Sequence, residues 1–528
     1  MDIVFRGAKV ADGTGAPAFY ADVGITGDRI AAIDRHRGLA GGRIIDAAGL
    51  VLAPGFIDMH AHSDLQVLAH PDHIAKISQG VTCEVLGQDG LSYAPVNDAV
   101  LSTLRGQLAG WNDDPADFEW NWRSVGEYLD RLDAGIAVNA VYLVPQGTVR
   151  MLCLGWEDRP ATASELDAMR AAVAEGMAQG AAGLSSGLTY TPGMYADTEE
   201  LVALCRVVAE RGGFYSPHHR SYGAGAVEAY AEMIDVSRRS GCALHFAHAT
   251  MNFPVNAGRA GELLSLVDRA CGDGVDITLD TYPYLAGATY LSALLPSWAS
   301  EGGPEATIQR LQDAPTRARI QRELEETGSD GCHGVPVDWR TIEINGVRRA
   351  HNAHLVGRSV ADAASSAGRP PADLYFDVLC DERLGTSCLM HVGNEENVRT
   401  IMRHPAHTGG SDGLLVGDRP HPRAWGTFPR YLSHYVRELG VLELEECVAH
   451  LTGRAARRLR LSDRGHIREG YAADLVLFDP NEVADRATFD EPRQRAAGIP
   501  YVLVNGVPVI DQGRPTGALP GHSLRHSP

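Results

Sequence analysis

Residues 51–64 read VLAPGFIDMHAHSD, an apolar strand that runs into His60-x-His62. Alternate residues of a strand share a face, so these two imidazoles stand side by side. A divalent transition metal needs nitrogen donors presented in this way. The lead-in Pro54-Gly55-Phe56-Ile57-Asp58 and the following acid Asp64 set the pair at the end of a buried strand rather than on an exposed edge.

Downstream, strand-like runs alternate with helical stretches, the pattern of a (β/α)₈ barrel. The eight runs are 56–64, 81–90 (VTCEVLGQDG), 140–148 (AVYLVPQGT), 182–190 (AGLSSGLTY), 212–220 (GGFYSPHHR), 243–250 (ALHFAHAT), 275–284 (VDITLDTYPY) and 407–414 (HTGGSDGL). ATASELDAMRAAVAEGMAQG and GAVEAYAEMIDVSRRSG are two of the helical patterns between them. The seventh and eighth runs are too far apart for a barrel connection, which predicts an inserted subdomain over about 295–390 that could cover the site. Residues 1–53 and 465–515 share short β-type runs with turn punctuation, and neither piece closes a sandwich alone. Together they predict one small β-sandwich domain built from both ends of the chain. The barrel then occupies 54–464, and 516–528, rich in Gly, Pro, Ser and His, reads as a loose C-terminal tail.

The chain has 528 residues, 44% of them hydrophobic, enough for a large core and two domains. No apolar run reaches the length of a membrane span, and the N-terminus lacks a signal-peptide pattern, so the expected location is cytoplasmic. The nine cysteines are scattered, with no C-x-x-C pair, which indicates neither a disulfide framework nor a structural zinc knuckle. A formal net charge of −20 argues against nucleic acid or an anionic membrane as partner. The expected partner is a small-molecule substrate, and a homo-oligomer is left open.

The chemistry-bearing residues fall at the C-terminal ends of the predicted strands, where a barrel of this type places its site. His218 and His219 end the fifth, and because neighbours on a strand face opposite ways, at most one enters the mouth. His248 ends the sixth, while His245, at odd spacing from it, reads as a satisfied buried histidine. Asp412 ends the eighth, where a carboxylate can take a proton from water and pass it to a leaving group.

Four longer motifs, GLSSGLTYTPGMYADTEEL, DTYPYLAG, GNEENVRTIMRHPAHTGGSDGL and HPRAWGTFPRYL, resemble the N-acyl-D-amino-acid deacylases (D-aminoacylases) of the amidohydrolase superfamily. The resemblance covers most of the chain and is weak in roughly 295–350. It implies a zinc-dependent hydrolase, with one or two ions per chain, that splits an N-acyl-D-amino acid into a carboxylate and a free D-amino acid. It implies His60, His62, His218 and His248 as metal ligands, with His219 structural, and Asp412 as the catalytic acid–base. Where relatives place a ligand cysteine after the second strand this chain has Asp89, an oxygen donor in the same position, and Cys83 reads as core. The carboxylated lysine that bridges the metals in many amidohydrolases has no counterpart, since the only lysines are Lys9 and Lys76. Tyr282 and Arg423 match positions that hold the substrate carboxylate, but Thr250 and Ala288 replace a lysine and a serine. Gln146 replaces a histidine common in relatives, with no consequence assigned. These departures keep open an alternative, hydrolysis of another linear or cyclic amide on the same scaffold.

Overall fold

The computed structural model describes residues 1–36 and 38–527. Eight parallel strands form the central sheet: β1 Phe56–Asp58, β2 Val81–Leu86, β3 Asn139–Pro145, β4 Gly183–Gly187, β5 Phe214–His218, β6 Ala243–Phe246, β7 Ile277–Thr281 and β8 His407–Gly409. Each pairs with its sequence neighbour, and an Ala61–Gly413 bridge with a 3.0 Å bond from Met59 N to Gly409 O closes β8 onto β1. The result is the (β/α)₈ barrel that the alternation predicts. Strands buried on both faces read as near-continuous apolar runs, as β3 does from Ala140 to Pro145, whereas β2 interrupts its run with Thr82 and the buried Glu84, which pairs with His73.

The covering helices form where their start signals lie. Ala163–Ala178 opens on a Thr162–Glu165 capping box and turns Met169, Val173 and Met177 inward. Ala226–Ser240 stops at Gly241, whose φ of +73° an L side chain rarely adopts.

The two chain ends build one nine-stranded sheet, in which Val51–Pro54 lies between Ile3–Val10 and Leu475–Phe478. The sheet curls over its own core of Phe5, Val23, Leu52, Leu475 and Leu503, and residues 470–473 hydrogen-bond back to Asp28 and Ile30. Only Gly55 separates Val51–Pro54 from β1. A Cβ there would meet Thr82 at 2.2 Å, so the joint between sheet and barrel is packed too closely for any other residue.

Between β7 and β8 the chain builds a four-stranded antiparallel sheet of Ala286–Tyr290, Ile342–Gly346, Arg358–Ser359 and Ser387–His391. It has its own apolar cluster around Leu294, Ile320, Tyr375 and Leu379. Its first strand begins ahead of residue 295 because Ala286–Tyr290 pairs along its whole length with Ser387–His391.

The expectation of a loose C-terminal end is corrected. Ala140 N donates to His522 O at 3.0 Å, Leu524 N to Ala140 O at 2.7 Å and His526 N to Gly180 O at 2.9 Å. Arg525 pairs with Asp130 and Asp133. The tail therefore straps the barrel at the N-terminal ends of its strands, opposite the site. Composition misses it because backbone groups make most of the contacts.

Candidate metal centre and active site

At the C-terminal ends of the barrel strands, six side chains converge. His60 Nε2 lies 3.2 Å from His62 Nε2, and His218 Nδ1 lies 3.0 Å from His248 Nε2. Asp89 stands between the two pairs. Its Oδ1 is 3.5 Å from His60 Nε2 and 3.5 Å from His248 Nε2, and its Oδ2 is 3.4 Å from His62 Nε2 and 3.4 Å from His218 Nδ1. Asp412 Oδ1 completes the first pair at 3.2 Å from His62 Nε2. Two ligand groups result, His60–His62–Asp89–Asp412 and Asp89–His218–His248, with Asp89 common to both.

The donor set fits zinc. Tetrahedral bonds of about 2.0–2.2 Å put neighbouring donors about 3.3–3.5 Å apart, close to the nitrogen–oxygen spacings here. Asp89 Oδ1 is buried with no hydrogen-bond partner among the described residues, a costly state for a carboxylate oxygen unless a cation meets it. Burial pushes the Asp89 carboxyl up, but His60, His218 and His248 outweigh it and hold the group well below the carboxylate range. Burial likewise lowers His60; it also opposes a charge on His62, but the hydrogen bonds that His62 donates to the Asp412 and Asp89 carboxylates outweigh it and push this imidazole up to about 10.

Local sequence explains why these side chains converge. Asp89, His248 and Asp412 all have positive φ, at +54°, +30° and +49°, and all three terminate barrel strands. Non-glycine residues rarely adopt this region, and such strain gathers at functional sites. Asp89 sits in Gly87-Gln88-Asp89-Gly90, where a Cβ on Gly90 would lie 2.6 Å from Gly187 N. Asp64 Oδ1 accepts from Gly87 N at 2.8 Å and Ser92 Oγ at 2.6 Å, and Gln88 Nε2 donates to Met59 O at 2.7 Å. Asp412 N donates to His60 O at 2.8 Å, and Ser411 N and Oγ donate to Asp58. His248 N donates to Asp280 Oδ1 at 3.0 Å.

Further residues surround the cluster that the sequence did not single out. Asp280 Oδ2 meets His245 Nε2 at 3.0 Å and lies 3.9 Å from His60 Nδ1, tying β1, β6 and β7 together. Thr189 Oγ1 is 2.6 Å from His218 Nε2 and leaves Nδ1 to face His248. Trp111 lies 4.7 Å from the His62 ring and Tyr190 4.7 Å from the His218 ring, walls that exclude water. Buried Lys76 bonds Asp58 at 2.5 Å and Ser411 Oγ at 2.9 Å behind the β8 loop. Asp280 carried a signal, an acid near the end of a barrel strand; the aromatic walls carried none distinct from core.

Other candidates stand apart from the ligand groups. His219 is buried between Tyr222 and Tyr230 with ring centroids 4.1 and 3.9 Å away, and His245 is bonded at both nitrogens. Cys83 lies in an apolar cluster with Ile57, Val85 and Leu143. Gln146 donates to Glu200 at 2.9 Å beside the buried Arg150–Glu200 pair, outside the cavity. Tyr282, Thr250 and Ala288 line the cavity, and Arg423 does not. Its guanidinium is fully buried against the Tyr282 ring at 4.4 Å, and Nη2 is 2.9 Å from Asp412 Oδ2.

Among known proteins, residues 43–510 match the model of the amidohydrolase family. The chain is 36% identical over 525 residues to the D-aminoacylase of Alcaligenes xylosoxydans xylosoxydans, covering 99% of this chain and 97% of that one. A solved D-aminoacylase structure, described with a binuclear metal centre activated by one metal and attenuated by the second, superposes with a TM-score of 0.83. Its identity is 35%, over 99% of this chain and 100% of that one. The N-acyl-D-glutamate deacylase of Bordetella bronchiseptica, solved with zinc and a phosphonate mimic of the tetrahedral intermediate, superposes with a TM-score of 0.85. It is 33% identical and the match covers both chains completely. On this fold, this ligand cluster and these relatives, the chain belongs to the amidohydrolase family, in the branch of the N-acyl-D-amino-acid deacylases.

Proposed function

We propose that this enzyme removes the acyl group from N-acyl-D-amino acids whose side chain is apolar. The observation that carries the reading is the carboxylate of Asp89 shared by four imidazoles, with Asp412 beside it, at the floor of one cavity. Phe253, Leu294, Met390, Val392 and Leu414 line that cavity, and among the described residues no lysine or arginine does. An apolar side chain is matched by these walls; a second carboxylate finds no cation. The D configuration rests on the relatives.

His60, His62, Asp89, His218 and His248 would hold zinc, which when bound supplies Lewis acidity toward the amide carbonyl and toward water. Asp412 takes the proton of the attacking water and returns it to the departing nitrogen. Arg423 acts through its neighbours here. It fixes Asp412 Oδ2 and hydrogen-bonds the Tyr282 side chain, holding that hydroxyl at the cavity wall to orient substrate. Although burial pushes the Asp412 carboxyl up, Arg423 and His62 pull it far below the usual range, so it stays ionised as a base must. Trp111, Tyr190 and Tyr222 keep bulk water from the reacting groups. None of the nine cysteines is paired, which supports a reducing compartment, and we place the enzyme in the cytoplasm.

The cationless wall also favours a second reading, hydrolysis of a neutral linear or cyclic amide. A screen of N-acetyl-D- and L-amino acids, with apolar and acidic side chains, beside cyclic amides and carboxamides separates them. Release of free D-leucine from N-acetyl-D-leucine, faster than the reaction of L-isomer or carboxamide, is the expected result. Preference for a cyclic or uncharged amide would sink the first reading.

A further inference from the structure

The insertion between β7 and β8 roofs the barrel and sends one imidazole into the cavity. His333 stands on a loop of this insertion at φ +58°, in the left-handed region. The barrel holds that backbone in place. His333 O accepts from Ala224 N at 3.0 Å and from Ser221 Oγ at 3.2 Å, both on the loop after β5. Gly223 passes so close that a Cβ on it would lie 2.6 Å from His333 O. The ring packs against Tyr222 and Phe253, with centroids 5.5 and 5.6 Å away, and lines the cavity.

Tyr222 N faces His333 Nδ1 at 3.5 Å. With Nδ1 as acceptor the ring proton sits on Nε2, which has no protein partner among the described residues. Burial, then the nearby His218 and His248, push this imidazole down to about 3, so it is neutral at pH 7 and acts as a donor rather than a cation. Among the described residues no lysine or arginine lines this cavity; Arg423 lies behind Tyr282, with Nη2 facing Asp412 and Ala288 O and with Nε and Nη1 buried without a hydrogen-bond partner.

We propose that His333 Nε2–H donates a hydrogen bond to the substrate α-carboxylate, so that the insertion supplies a specificity contact to a cavity that no lysine or arginine lines among the described residues. This rests on the deacylase reading above. Hydrogen bonds to a charged group are the stronger kind, so a carboxylate gains more from this N–H than the neutral carbonyl of a carboxamide.

The test compares N-acetyl-D-leucine with N-acetyl-D-leucinamide on the zinc-loaded enzyme. His333→Asn tolerates the left-handed backbone but loses the reach; His333→Gly accepts the same backbone and is the second variant; His333→Gln restores an N–H at similar distance. Both shortened variants should lower kcat/KM for the acid by roughly ten- to a hundredfold, mainly through KM. They should lower kcat/KM for the amide by no more than about fivefold, and Gln should recover part of the loss on the acid. Zinc content and thermal midpoint should match wild type. Equal losses on both substrates, or an undiminished preference for the acid, would overturn the role of His333. If the wild type itself shows no preference for the acid, the carboxylate reading of the site falls and takes this proposal with it.

Discussion

Replacing Asp89 by Asn tests the metal centre most directly, because it removes one charge and leaves the shape. Each Asp89 oxygen faces one imidazole of each pair at 3.4–3.5 Å, so the same carboxylate serves both ligand groups. A unit charge pair at about 4 Å interacts by about 4 kcal/mol at an effective dielectric near 20. Desolvation of the carboxylate and the dication cancels part of that. Roughly 1.5–4 kcal/mol remains, or tenfold to about a thousandfold in zinc affinity. The assay is equilibrium dialysis against graded zinc buffers, with metal counted per chain by mass spectrometry. Asp89→Asn should shift the whole isotherm, not one half of it, because both positions share the ligand. Cys83→Ser should leave the isotherm in place, since Cys83 lies in an apolar cluster. Zinc retained at wild-type affinity by Asp89→Asn, or lost by Cys83→Ser, would refute the assignment.

Four further outcomes follow from the same geometry. His218→Ala should lower zinc occupancy far more than His219→Ala, because only the first faces His248; equal losses would show that the strand-facing argument fails. Asp412→Asn should keep most of its zinc but lose several orders of magnitude in kcat, since an amide cannot carry the proton; near-wild-type turnover would remove Asp412 from the chemistry. Reconstitution of the apoenzyme should be indifferent to bicarbonate, because Lys76 is held by Asp58 and Lys9 lies in the N-terminal sheet; bicarbonate-dependent activity would contradict this. Lys76→Met leaves buried Asp58 and Glu84 without their cation and should cost about 3–5 kcal/mol in urea unfolding, partly relieved by adding Asp58→Asn; an unchanged midpoint would mean the pair is dispensable.

The barrel was readable because each strand is a short apolar run whose last residues change abruptly to His, Asp or Gly. His60, His62, His218, His248, Asp89 and Asp412 all stand at those changes, and the structure brings them within reach of one another. Positions behind them were not readable. Arg423 looks the same in sequence whether its fork opens to the cavity or turns to Asp412, and only packing against Tyr282 decides. Lys76 carries no mark of its role in the sequence, because its partners Asp58, Ser411 and Glu84 come from three other segments. Trp111 and Tyr190 belong to different segments, and neither marks itself as a wall of the site. His333 lies where the sequence resembles its relatives least.

The small sheet also sets the order of events during synthesis. Arg43 and Asp511, paired across it at 2.7 Å, are 468 residues apart in the chain. At about 5–20 residues per second, the N-terminal strands emerge roughly 25–95 s before their partners exist. Throughout that interval Val51–Pro54 offers a bare edge to the ribosome's surroundings, while β1 directly after it has already begun the barrel. A chain permuted to begin at Leu475 would translate the sheet as one continuous piece. It should reach the native state sooner and with less dependence on chaperones, at no change to a single residue of the active site.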